Sequence, residues 1–243
     1  MIESANNEKI KGYAKLNEKK YREEAGLFLI EGYHLVEEAY KKGIIKEIFI
    51  LENETIDFQG IQTTIVTERV LKRLSSTVSP PKIIAVCFKL KANQIKGNII
   101  ISDDISDPGN LGTIIRSAVA FGYETIIVSS NTVDIYNSKV IRATEGMLFN
   151  INIIVANLSE MVKKLKDDGY LIVGTDVKTG TKPSPINQKH VLIIGSEARG
   201  MSDELLSLTD DNLCISMNPL CESLNAAVSA SILMYQLSLG ADL

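Results

Sequence analysis

A short apolar run, Asn98-Ile99-Ile100-Ile101, leads into Asp107-Pro108-Gly109-Asn110-Leu111-Gly112-Thr113-Ile114-Ile115-Arg116, where the chain breaks and restarts as a helix. An unalternated apolar run reads as a strand buried on both faces, which requires a parallel sheet covered by helices. Pro108 and Gly109 break the chain, Asn110 is the expected N-cap, and Gly122 ends the helix near Phe121. At about 100° per residue, Leu111, Ile114, Ile115, Ala118 and Val119 share one side of that helix. Thr113, Arg116, Ser117 and Ala120 share the other, so Arg116 points away from the core. Strand-to-helix junctions of this kind are where open α/β folds bind ligands. No Gly-Lys-Ser/Thr follows the turn and no Gly-x-Gly-x-x-Gly occurs in it, which excludes both nucleotide fingerprints.

Two later segments repeat the pattern. Val191-Leu192-Ile193-Ile194 runs into Gly195-Ser196-Glu197-Ala198-Arg199-Gly200 ahead of a helix capped by Ser202. Leu213-Cys214-Ile215 leads through Met217-Asn218-Pro219 to Glu222-Ser223-Leu224-Asn225 and a helix rich in small residues. In a single parallel sheet these polar turns converge at the carboxyl edge.

That constellation resembles the three motifs of the SpoU/TrmH branch of the SPOUT RNA methyltransferases, over roughly residues 98 to 240. Asn110 and Arg116 match the first motif, Gly195, Glu197 and Gly200 the second, and Ser223, Leu224 and Asn225 the third. The run Val140-Ile141-Arg142-Ala143-Thr144-Glu145-Gly146 is similar to a family segment between the first two motifs. The resemblance implies methyl transfer from S-adenosyl-L-methionine to a ribose 2′-hydroxyl, a C-terminal trefoil knot, a homodimer, and a ribosomal or transfer RNA substrate, of which the N-terminal domain described below favours ribosomal RNA. It implies Arg116, Asn110, Glu197, Ser223 and Asn225 as catalytic residues. For the cofactor it implies Thr175, Gly195, Gly200, Ile215 and Leu224, with Asp176 nearby. Two departures stand in the third motif, where Ser216 replaces the family's proline and Pro219 its glycine. They leave a rival reading, a catalytically silent RNA-binding protein that keeps the fold.

The family places an arginine at the position of Arg116 to activate the hydroxyl. Arginine keeps its proton in proteins, so the reading preferred here has Arg116 bind an RNA phosphate and favour the developing alkoxide through its charge.

The N-terminal part is similar to the L30e-like substrate-binding domain, through Lys9-Ile10-Lys11, Leu16, Lys19-Lys20-Tyr21-Arg22 and Phe28-Leu29-Ile30-Glu31-Gly32. The expected organisation is an L30e-like RNA-binding domain over 1–92, a linker over 93–97, and a methyltransferase domain over 98–243. Residues 1 to 97 carry 16 Lys/Arg against 13 Asp/Glu, and the rest carry 10 against 17. The overall charge of −4 therefore hides a basic N-terminal part. Phosphate contacts supply much of nucleic-acid affinity, so the expected RNA-binding residues are Lys9, Lys11, Lys19, Lys20 and Arg22, with Arg142 added by the segment resemblance.

Other chemistries find no support. Cys87, Cys214 and Cys221 have no CxxC spacing, and His34 and His190 stand far apart, so no metal centre is expected. Ser196 lacks the Gly-x-Ser-x-Gly elbow of a hydrolase. No secretory leader and no apolar run of membrane-spanning length occurs, so a cytoplasmic location is expected.

Element by element, the first domain reads as helix 5–24, strand 27–30, helix 32–42, strands 45–50 and 61–66, helix 67–74 and strand 83–88, a small α/β sandwich. The second reads as strand 98–102, helix 111–121, strand 125–129, helix 136–142, strand 151–155, helix 158–167, strands 170–174 and 190–195, helix 202–207, strand 212–215 and helix 223–239. Such alternation predicts a parallel sheet with helices on both faces. The small residues Ala226, Ala227, Ser229, Ala230 and Ser231 suit either close dimer packing or internal packing on the sheet.

Overall fold

The computed structural model describes residues 1–176 and 180–239. Elements follow the chain as α1 (Glu8–Ala14), α2 (Lys19–Ala25), β1 (Leu27–Glu31), α3 (Tyr33–Lys41), β2 (Ile45–Leu51), β3 (Thr63–Val66), α4 (Glu68–Leu74) and β4 (Ile83–Phe88). Then come β5 (Asn98–Ser102), α5 (Pro108–Ala120), β6 (Tyr123–Val128), α6 (Ser138–Ala143), β7 (Asn152–Val155), α7 (Leu158–Asp167) and β8 (Leu171–Thr175). The chain finishes with β9 (His190–Ile194), α8 (Asp203–Leu206), β10 (Asp211–Leu213) and α9 (Ala226–Ser238).

Two compact units form, Met1–Lys91 with Asp134–Phe149, and Ala92–Val133 with Asn150–Leu243. The stretch Asp134–Phe149, expected in the second domain, therefore packs with the first. Its apolar groups explain this, since the Tyr136 and Phe149 rings lie 4.7 and 6.3 Å from that of Phe28. The expected linker is likewise no free spacer. The Asn93 N–H donates to Asn152 Oδ1 at 2.8 Å, and Thr125 Oγ1 donates to the Lys96 carbonyl at 3.1 Å, which fastens it to the second unit.

The first unit is a four-stranded sheet, β1-β4-β2-β3, with α1 and α4 on the face formed by Leu27, Leu29, Phe49, Ile84 and Val86. Its single expected first helix is broken at Glu18, whose extended backbone separates a 3-10 turn over Lys15–Asn17 from α2. Beside the break, Asn17 turns its amide to the carbonyls of Leu74 at 3.0 Å and Ala14 at 3.2 Å, a side-chain to backbone bonding that competes with helix continuation.

The second unit is a six-stranded sheet in the order β10-β8-β9-β5-β6-β7, with every pairing parallel. On one face Ile99, Ile101, Ile127, Val191 and Ile193 pack against Leu158, Val162 and Leu165 of α7. Alternation puts Ile100, Ile126 and Leu192 on the other face, covered by α5 and α9. Because the strands are parallel, the ends of β5, β8, β9 and β10 all emerge at one edge.

Candidate active site

At that edge, α5 begins three residues earlier than expected. Its N-cap is Asp107, whose side chain accepts the Asn110 N–H at 2.8 Å, and Pro108 occupies the first turn. Proline suits that position because its missing N–H has no helical partner there. Asn110 is thereby relieved of capping and its side chain is free for other work. Its Nδ2 donates to Glu197 Oε1 at 2.5 Å, and its Oδ1 accepts from Asn225 Nδ2 at 2.9 Å. Asn225 in turn is the N-cap of α9, its Oδ1 accepting the N–H groups of Ala227 and Val228 at 2.9 and 3.2 Å. The line from Glu197 through Asn110 and Asn225 to the α9 terminus joins three turns that lie up to 115 residues apart.

A cavity of about 170 Å³ lies beside this line. Thr175, Gly195, Gly200, Ile215 and Leu224, the five residues expected to hold a cofactor, all line it, together with Glu197 and Ser223. Met217, Ser229 and Leu233 line it too, residues that the motif resemblance does not assign to a cofactor. Ser229 and Leu233 stand one helical turn apart on α9, a spacing that was legible but carries no chemistry by itself. The loop after β9 is tight because Ser196 and Gly200 exchange backbone hydrogen bonds of 3.0 and 2.8 Å. A β-carbon on Gly195 would overlap the Gly200 carbonyl carbon and the Met201 nitrogen, so only glycine fits there. Gly200 has φ +70°, a left-handed conformation that glycine adopts without penalty.

Arg116 is exposed on α5, as the helical wheel predicts, and no ion pair holds it among the described residues. It does not line the cavity. Its neighbour Ser117 shares a 2.7 Å hydrogen bond with Ser231 of α9, which fixes the two helices side by side. Ala226, Ala227 and Ala230 are buried within the unit, so these small residues serve internal packing.

The residues expected to bind RNA divide. Arg22 is buried and pairs with Asp134, donating also to the Leu16 carbonyl at 2.7 Å, so it is a core residue of the first unit and not an RNA contact. The ammonium of Lys9 lies 2.5 Å from the buried Glu47 carboxylate, which also accepts from Thr64 at 2.9 Å. Lys11 pairs with Glu8 at 2.9 Å, and Arg142 donates to Ser76 Oγ at 3.0 Å, 4.0 Å from Glu31. Lys19 and Lys20 are exposed, and the Lys20 ammonium lies 5.8 Å from the Tyr21 ring centre.

The remaining candidates are structural. His190 is buried, sharing a 2.7 Å hydrogen bond with the Tyr123 hydroxyl, and burial lowers its pKa below 6.5. Cys87 is buried, which pushes its thiol pKa up. No group of acidic, histidine and cysteine side chains among the described residues could hold a metal ion, and no helix among them is long and apolar enough to cross a membrane.

Comparison with known proteins decides what this arrangement belongs to. Residues 97–235 match the SpoU rRNA Methylase family, the stretch that holds the cavity and the hydrogen-bonded line. The chain belongs to the SpoU rRNA methylase family. Residues 7–85 match the MRM3-like substrate binding domain. Among SpoU relatives, the 23S rRNA (guanosine(2553)-2′-O)-methyltransferase RlmP of Bacillus subtilis (strain 168) is 39% identical, covering 97% of this chain and 98% of its own. The 23S rRNA (adenosine(1067)-2′-O)-methyltransferase of Streptomyces laurentii is 28% identical, covering 73% and 70%. The AdoMet-bound rRNA methyltransferase from Sinorhizobium meliloti superposes with TM-score 0.86 at 27% identity, covering 97% of this chain and 95% of that one.

Proposed function

We propose that this SpoU protein transfers a methyl group from S-adenosylmethionine to a ribose 2′-hydroxyl of ribosomal RNA. The observation that carries the reading is that Glu197 belongs at once to the cavity lining and to the hydrogen-bonded line through Asn110 and Asn225. Donor and acceptor sites thus share one side chain.

The cavity fits the donor. Apolar Leu213, Leu224 and Leu233 offer a surface for a flat base, and the described lining holds carboxylates at Asp176 and Glu197 but no cationic side chain, which suits a positively charged ligand. Thr175, Gly195, Gly200, Ile215 and Leu224 would hold it, and when bound it supplies an electrophilic methyl carbon. Placing the hydroxyl in line with that carbon is worth a large part of the barrier. Asn110, Glu197, Ser223 and Asn225 orient the ribose, while Arg116, exposed and held by no ion pair among the described residues, takes an RNA phosphate and stabilises the alkoxide. The trefoil knot belongs to the same reading. It is supported by the 180–186 segment, where Thr181 bridges Leu213 and the Ile186 N–H donates to the Leu237 carbonyl at 3.1 Å.

In the first unit, Lys15, Lys19 and Lys20 with Arg69, Lys72 and Arg73 of α4 are the RNA-facing cations. Asn17, bonded to the end of α4, brings the two groups together. The protein works as a homodimer, for which Val228 and Tyr235 of α9, about half exposed, and Leu220, 94% exposed, offer the apolar surface. It works in the cytoplasm, where its RNA is.

The test is calorimetry with S-adenosylmethionine followed by transfer of labelled methyl groups to ribosomal RNA. Donor binding with transfer supports the reading. RNA binding without donor binding would establish the silent RNA-binding protein instead.

A further inference from the structure

The loop that carries Glu197 hangs from one residue. Asp103 follows β5 directly and is 8% exposed. Its backbone N–H donates to the Ile194 carbonyl at 2.9 Å, and its Oδ2 accepts the Ser202 N–H at 2.8 Å. Ile194 is the last residue before the loop over 195–201, and Ser202 is the first after it. Both feet of the loop are therefore fastened to the same residue. Between the feet, the loop is closed by the Ser196–Gly200 hydrogen bonds and by the tight approach at Gly195. At its tip, Arg199 Nη2 comes within 3.8 Å of Asp104 Oδ2, and Asp104, at φ 57°, accepts from Ser129 Oγ at 2.5 Å. Such a loop has little freedom to carry Glu197 away from Asn110.

We propose that Asp103 is a positioning residue for methyl transfer. It does not line the cavity and does not touch Asn110, so it acts through the loop. Capping α8 alone is a poor explanation for a buried carboxylate, because that helix has only four residues. The inference rests on the reading of Glu197 as an active-site residue.

Two readouts test it together, hydrogen exchange across residues 195–202 and single-turnover methyl transfer. In D103A the loop amides should exchange at least about tenfold faster while β5 and β9 amides keep their protection. The transfer rate constant should fall by about tenfold or more with RNA affinity held within about twofold. D103N, which keeps an acceptor oxygen, should recover most of the rate. Should D103A fail to fold, S202P removes the same hydrogen bond from the other side. Ser202 has φ −66°, which proline adopts without strain, and the same two effects are expected. Unchanged loop exchange, a global loss of protection, or a transfer rate within about twofold of wild type overturns the proposal. If wild-type protein transfers no methyl group, the proposed function fails, while loop exchange in the variants still decides whether Asp103 clamps the loop.

Discussion

Asn225 donates its side-chain amide to the Asn110 carbonyl oxygen at 2.9 Å, and the direction of that bond is set by a helix. Asn225 Oδ1 is already committed to the N–H groups of Ala227 and Val228, so only its Nδ2 remains to reach Asn110. Asn110 must then accept at Oδ1 and donate at Nδ2, which points its donor at Glu197. The α9 N-terminus therefore orients the Glu197 carboxylate through two amides.

This relationship can be split by substitution. Asn225→Asp keeps the capping oxygen and deletes the donor, so the melting temperature should stay within a few degrees while methyl transfer falls by about tenfold or more. Asn225→Ala should lose transfer and also about 1 kcal/mol of stability as the cap disappears. Thermal denaturation and single-turnover assays on both variants check the pair. Equal melting temperatures for the two would show that the cap is not what holds Asn225.

Gly195→Ala should abolish donor binding, because the added carbon meets the backbone of Gly200 and Met201 with nowhere to move. Gly200→Ala meets no atom, but places a side chain at positive φ, costing about 1 kcal/mol with donor affinity reduced only a few-fold. Calorimetric titration of S-adenosylmethionine separates these outcomes.

Arg22 and Lys19 should differ in kind. Arg22→Ala leaves the Asp134 carboxylate without its partner in the interior of the first unit, and should cost about 3 kcal/mol in denaturant unfolding. Lys19→Ala should leave stability intact and instead weaken RNA binding with a smaller salt dependence. A reduced salt slope for Arg22→Ala in folded protein would return Arg22 to the RNA surface.

His190 gives the stability a pH dependence. Burial holds its folded pKa below 6.5, so the unfolded chain takes up a proton that the folded chain refuses as pH falls through 6.5. Its contribution is complete above that pH and is lost progressively below it, until the folded imidazole also protonates. Denaturation midpoints should therefore decline from about pH 7 to about pH 5, and more steeply than in His190→Asn.

How far the fold can be read from the chain depends on how local its causes are. The strand over Val191–Ile194 and the helix over Leu158–Asp167 are written in their own apolar spacing and fall where expected. The placement of Asp134–Phe149 is not, because the pattern of α6 records an apolar face without saying which sheet receives it. Arg22 looks like its neighbours Lys19 and Lys20, and what buries it is a carboxylate 112 residues away. In the site, the residues of the three motifs were legible as types at strand ends. Asp107 was available as the cap, since Pro108 follows it, but Asn110 is as good a cap by type and lies only three residues on. The hydrogen bonds of Asp103 to the two feet of the Glu197 loop had no local signal at all.

If a ribose hydroxyl of ribosomal RNA is the methyl acceptor, the modified nucleoside itself reports it. The measurement incubates the protein with S-adenosylmethionine and ribosomal RNA from a strain lacking this gene, then identifies methylated nucleosides by mass spectrometry. The expected product is a single 2′-O-methylnucleoside, absent when Arg116→Lys protein is used at equal concentration because lysine lacks the planar fork. A methyl group on a base, or no methylated product from protein that binds the RNA, would contradict it.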